Sequence, residues 1–198
     1  MALFMALNAL LFTNTAAAIT PRQVLDKCAA TVGTSTGASA HFAMSSVQYG
    51  TLSGNISIKG RMFHTKTATT EIWFDGSTLW TYMTNNDEVN ISKPTEQQLQ
   101  TLNPYNFINL YKSGFSYTMT SSNTEYTVHL TATDPAHRIQ EAFIVADKNS
   151  YAPKEVKMMQ DNKWTVFVIT DMKSESLSDA VFRFDKSKYP TAEVIDLR

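Results

Sequence analysis

The stretch TEIWFDGSTLWTYMTNNDEVNIS, residues 70–92, crowds Trp73, Phe74, Trp80, Tyr82 and Met83 around an Asp75-Gly76 pair. Successive side chains of a strand point to opposite faces, and Asp-Gly between apolar runs is a strong hairpin signal. A two-residue turn there pairs Phe74 with Ser77, Trp73 with Thr78, Ile72 with Leu79 and Glu71 with Trp80. One face then carries Ile72, Phe74, Leu79, Thr81 and Met83, and the other Glu71, Trp73, Trp80 and Tyr82. Both faces are apolar, whereas a sheet with one solvated face shows polar residues on it. Either helices cover the second face or one face lines a cavity.

Working outward, alternating segments with short turns recur along the chain, as in an antiparallel meander. Strands are expected near Ala38 to Val47, Leu52 to Lys59, Met62 to Lys66, Glu71 to Phe74, Leu79 to Thr84 and Val89 to Ser92. A second set is expected near Phe115 to Thr120, Tyr126 to Ala132, Ile139 to Val145, Glu155 to Met159, Trp164 to Met172 and Val181 to Phe184. Asp147-Lys148-Asn149 and Asp161-Asn162-Lys163 supply turns without glycine. Between the two sets, Pro94 to Leu102 and Pro104 to Tyr111 read as short helices, each opened by a proline at a permitted first-turn position. A further helix follows Thr20-Pro21, with Val24, Leu25, Cys28, Ala29 and Val32 on its apolar stripe. The pattern predicts a mainly β domain with some α structure, one curved antiparallel sheet with helices on one side.

The chain has 198 residues, one domain's worth, and a formal net charge of -1 that offers no attraction for nucleic acid. Residues 1–18 read as a signal peptide: Ala2 to Phe12 is apolar except for Asn8, Ala16-Ala17-Ala18 suits cleavage, and the run is too short to span a bilayer. Its positively charged n-region is missing, since the first basic residue is Arg22, so the start reads as truncated. Residues 19–198 are then the single functional domain. Cys28 is the only cysteine, which excludes an intramolecular disulfide and, on a helix stripe, reads as core.

Motifs for chemistry are few. His41, His64, His129 and His137 lack metal-ligand spacing, Gly-x-Ser-x-Gly is absent, and Cys28 has no histidine close in sequence. No enzyme, cofactor or metal is expected. Instead Met44, Met62, Met83, Met119, Met158, Met159 and Met172 lie in expected strands or at their ends. Flexible thioethers suit a surface that adapts to apolar ligands of varied shape.

The order WFDGSTLWTY, EVNIS, NPYNFINLYKSG and YPTAEVIDLR resembles the LolA family of periplasmic carriers of outer-membrane lipoproteins. The likeness runs from the first helix to Arg198, and the DGxTLWxY segment is its most specific part. It implies an open antiparallel half-barrel with an N-terminal helix and a helical insert acting as a lid. It also implies a periplasmic carrier, monomeric, that takes acyl chains of lipoproteins from an inner-membrane ABC exporter to an outer-membrane acceptor or membrane. The cavity is expected to involve Phe42, Met44, Ile56, Ile58, Met62, Ile72, Phe74, Leu79 and Met83, and the lid Leu99, Leu102, Phe107, Ile108 and Tyr111. Family members carry an Arg-Pro element whose arginine latches the lid. Here GRMFHTKT has Lys66 and Thr67 at the matching places, so Lys66, or alternatively Arg61, is the latch candidate. The competing expectation is a periplasmic lipid- or lipoprotein-sensing regulatory module on the same half-barrel. Such sensors carry an additional domain, for which the sequence after the sheet leaves no room.

Overall fold

The computed structural model describes residues 18–33, 35–48, 50–95, 98–99 and 111–198. Helix α1 spans Pro21–Val32. Thr20 caps it: its hydroxyl accepts from Gln23 N–H, while the Gln23 side chain accepts from Thr20 N–H, the reciprocal pair that satisfies two orphan donors. Pro21 at the first helical position loses no bond.

Twelve strands follow: β1 Ala38–Ser46, β2 Gly50–Lys59, β3 Met62–Thr67, β4 Thr70–Phe74, β5 Leu79–Met83, β6 Glu88–Ser92, β7 Phe115–Ser121, β8 Glu125–Ala132, β9 Glu141–Asp147, β10 Pro153–Gln160, β11 Lys163–Ser174 and β12 Glu193–Asp196. They form one sheet in the order β12-β6-β5-β4-β3-β2-β1-β11-β10-β9-β8-β7. The sheet is a pair of meanders joined where β1 meets β11, and it does not close on itself. Every described pairing is antiparallel except β12 with β6.

The opening hairpin departs from the expected turn. Phe74 pairs with Leu79, Trp73 with Trp80 and Ile72 with Thr81, so the loop holds Asp75 to Thr78. The Asp75 carboxylate accepts from the N–H groups of Ser77 and Thr78, and Gly76 has a φ of 97°. That Asx geometry favours the wider loop over a two-residue turn. The shift is two residues, which leaves each side chain on its expected face. Two-residue hairpin turns lie instead at Gly60-Arg61, inside the Lys59–Met62 pair, and between β10 and β11, where Asp161 and Asn162 take φ values of 50° and 56° beside the Gln160–Lys163 pair.

Register carries one parity across the whole sheet. Phe42, Ile56, Ile58, Phe63, Phe74 and Leu79 share an inner face with Val128, Leu130, Ile144 and Val156, and α1 packs Val24, Leu25, Cys28 and Val32 against it. Gly54 sits on this face because a Cβ there would lie 2.2 Å from the Lys66 carbonyl oxygen.

The outer face of β3 to β5 is also covered, which corrects the expectation of helices on one side. The Val181 to Phe184 strand is not formed; Asp179–Phe182 is a 3-10 turn capped by Ser178, and Phe182 is fully buried where the turn meets β3 and β4. The chain then crosses the outer face, stacking Phe184 and Tyr189 edge-on to Trp73 at 5.5 and 5.6 Å, before β12 joins β6. Tyr82 lies 4.7 Å from Tyr189, and His64 stacks on Trp73 at 5.4 Å. The aromatic residues on the second face of the hairpin therefore anchor the C-terminal segment.

Under these rings lies Glu71, 7% exposed, which accepts from Lys66 Nζ and Tyr189 Oη at 2.8 Å and pairs with His64 Nε2 at 2.8 Å. Burial alone would raise its carboxyl, but the hydrogen bonds from His64, Lys66 and Tyr189 override this and hold it down at about 2. A carboxyl lowered on folding stabilises the fold above its ordinary value of 4.5, and that stabilisation drains away as pH falls from there toward 2. Glu71→Gln should therefore flatten the acid limb of a stability-against-pH curve, measured by urea unfolding, and lower stability at pH 7.

Candidate functional site

The inner face is the candidate site because it is a continuous apolar surface under a cover that is not sheet. Phe42, Ile56, Ile58, Phe74 and Leu79 lie on it and are buried. Met44, Ile72 and Met83 share the same parity and are half-buried. Met62 does not: Lys59 pairs with Met62 and Ile58 with Phe63, so Phe63 takes the inner position and Met62 the outer. The Gly60-Arg61 turn sets that parity, which a reading that weighted methionine over alternation misses.

Burial thins out along the face. Ile56 and Phe63 are each 1% exposed, whereas Leu52, opposite Met44, is 37% exposed. α1 packs on β7 and β8 and reaches Ile56 and Ile58 through Val32, while Met44, Ile72 and Met83 are half-buried.

The chain between β6 and β7 joins strands on opposite sides of the sheet. At its start Thr95 and Gln98 form a second capping box, with Gln98 N–H donating to the Thr95 hydroxyl and the Gln98 side chain accepting from Thr95 N–H. Leu99, 8% exposed, follows on that turn and belongs to the inner-face core, as does Tyr111, 2% exposed. Leu102, Phe107 and Ile108 lie outside the described residues, as do residues 1–17 of the expected signal peptide.

Tyr111 ties the end of this connection to α1: its hydroxyl donates to the Asp26 carboxylate at 2.6 Å, and its carbonyl accepts from the Tyr117 hydroxyl. Burial and the Asp26 charge together push the Tyr111 phenol up, so it stays protonated and donating. On the other flank of α1, Lys27 donates to the Tyr151 hydroxyl at 3.3 Å, and the Thr31 hydroxyl donates to the Ser150 carbonyl. Cys28 faces the core, and burial pushes its thiol up to about 12, which removes the thiolate that reactivity requires.

The latch candidates sit elsewhere. Lys66 is on the outer face, where its ammonium is paired with Glu71, and Arg61 is exposed in the turn between β2 and β3. Of the histidines, His64 pairs with Glu71, His129 pairs with Glu141 at 2.6 Å, and His137 packs against Phe115. The sequence reading missed the Tyr111–Asp26 bond, because a contact across 85 residues leaves no local signal. It also missed β12, a four-residue strand among charges.

An open, mainly antiparallel sheet that buries one face against a helix, Leu99 and Tyr111 defines a half-barrel with a covered apolar interior. The chain belongs to the LolA family: the model described as outer membrane lipoprotein carrier protein LolA matches residues 11–162. No curated protein matches the chain in sequence. Among solved structures, an uncharacterized conserved protein from Thermus thermophilus is 12% identical, with a TM-score of 0.60 over 88% of this chain and 98% of that one. A structure of MucB is 11% identical, with a TM-score of 0.50 over 83% of this chain and 62% of that one. A LolA superfamily protein from Nitrosomonas europaea is 14% identical, with a TM-score of 0.44 over 85% and 99%. These likenesses concern the fold.

Tyr111→Phe removes one hydrogen bond to the exposed Asp26 carboxylate, which water can then solvate, so it should lower stability by about 0.5–1.5 kcal/mol. Hydrogen exchange should show faster exchange at Leu99 and in α1, with the amides of β3 to β5 unchanged.

Proposed function

We propose that this chain is a periplasmic carrier that binds lipoprotein acyl chains against its inner face and moves them from an inner-membrane ABC exporter to an outer-membrane acceptor or membrane. The observation that carries this reading is an apolar core on one face of the unclosed sheet, drawing on both meanders and including α1, Leu99 and Tyr111. Membership of the LolA family supports it.

The energetics say what the cover is for. Each acyl methylene buried gives about 0.8 kcal/mol, so several chains entering an empty cavity would be held too tightly for release. A cover that already fills the interior with its own apolar side chains reduces that gain to a difference between two sets of contacts. Leu99 and Tyr111 have this role in the proposal, with Leu102, Phe107 and Ile108 as further lid residues. Phe42, Met44, Ile56, Ile58, Ile72, Phe74, Leu79 and Met83 are the surface that acyl chains take over when the lid is displaced. The half-buried methionines and Ile72 mark where entry disturbs the fewest contacts. The protein is a binder in this reading, and its work is done by apolar exchange without catalysis.

Affinity purification from periplasmic extract, followed by mass spectrometry of intact complexes, tests the proposal. Acylated lipoproteins should co-elute and dissociate when competing acyl lipid is added. An eluate with a signalling partner and no acylated protein would favour the sensing module and overturn the carrier reading.

A further inference from the structure

Thr65 lies on the inner face between Ile56 of β2 and Ile72 of β4, and it is 7% exposed. Among the described residues its hydroxyl oxygen has no hydrogen-bond partner. The comparison with Ser46, equally buried at 7%, is informative, because the Ser46 hydroxyl meets Thr165 Oγ1 at 3.1 Å. Gln140 Oε1 is likewise unpartnered, but the same side chain donates through Nε2 to the His137 carbonyl. At Thr65 the hydroxyl is the side chain's sole polar group. A buried hydroxyl without a partner is costly, and valine has the same shape without that cost.

The surroundings give the hydroxyl a direction. β3 is paired on both sides, so the ladder engages its backbone and a ligand arriving on the inner face meets side chains. Thr81 of β5 and Asn90 of β6 continue the row from Thr65 through Ile72, both half-buried, toward the edge of the meander. Thr65 is thus flanked by apolar neighbours, Ile56 and Ile72, and the row turns polar beyond Ile72 at Thr81 and Asn90, whose amide donates to the Glu88 carboxylate at 2.7 Å.

We infer that Thr65 is a binding residue for the acyl carbonyl of a bound lipid, donating its hydroxyl to the ester or amide oxygen while the hydrocarbon lies on the apolar side. A carbonyl oxygen accepts and cannot donate, which suits a hydroxyl with nothing else to bond. The unpaired state of the empty protein then favours loading with acyl over plain alkyl chains, since only the former relieves it. This inference rests on the acyl-binding reading above and adds to it a preference for the linkage chemistry.

The test is isothermal titration of the full chain with three probes built on one glycerol-like backbone: an octanoyl diester, the matching diamide and the matching octyl diether. The wild-type chain should bind the diester, the diamide or both about 5- to 30-fold more tightly than the diether, the value of one neutral hydrogen bond in a dry site. Whichever carbonyl probe leads identifies the linkage recognised. Thr65→Val should bind all three equally, with diether affinity no weaker than wild type and a melting temperature at least as high. Thr65→Ser should keep the preference. Equal binding of all three by wild type, or a preference that survives in Thr65→Val, overturns the inference while acyl binding stands. Failure of every probe to bind wild type overturns both.

Discussion

The register of β1 to β5 assigns Phe42, Ile56, Phe63, Phe74 and Leu79 to one side of a sheet that does not close, and that side must be covered by something other than sheet. A closed barrel would bury its interior with its own walls. Here α1 packs on β7 and β8 and reaches Ile56 and Ile58 through Val32, and the chain between β6 and β7 supplies Leu99 and Tyr111 to the same core. Fixing α1 from both flanks, through Tyr111 to Asp26 on one and Tyr151 to Lys27 on the other, keeps that cover in place without a covalent tie. Among the described residues these ties are polar, while the core beside them is apolar.

The two faces of the opening hairpin have different work. The inner one belongs to the apolar interior. The outer one holds the C-terminal segment through Trp73, Tyr82, Phe184 and Tyr189, above a carboxylate saturated by His64, Lys66 and Tyr189. An outer face secured in this way gives the inner face a fixed backing.

Much of the architecture was legible because alternation is robust. The hairpin turn was misread, yet Phe74, Leu79 and Met83 kept their faces because the register error was two residues. Met62 was placed on the inner face by its residue type, and alternation from Phe63 puts it on the outer one. The Val181 to Phe184 segment mimics a strand in its alternation, but the Ser178 cap and the buried Phe182 close a 3-10 turn over Asp179–Phe182. Long-range polar contacts, Tyr111 with Asp26 and Glu71 with Tyr189, carry no periodicity and appear only when the chain is folded. Thr65 belongs with them: a threonine in a strand is unremarkable until its surroundings are known to be dry.

The central claim is that acyl chains occupy the inner face and no other, and photo-crosslinking with a diazirine-bearing acyl lipid reads this directly. Peptide mapping should place adducts on Ile72, Phe74, Leu79 and Met83, all suppressed by excess unlabelled lipid. Competable adducts on Trp73, Trp80 or Tyr82, with the inner face unlabelled, would contradict the account.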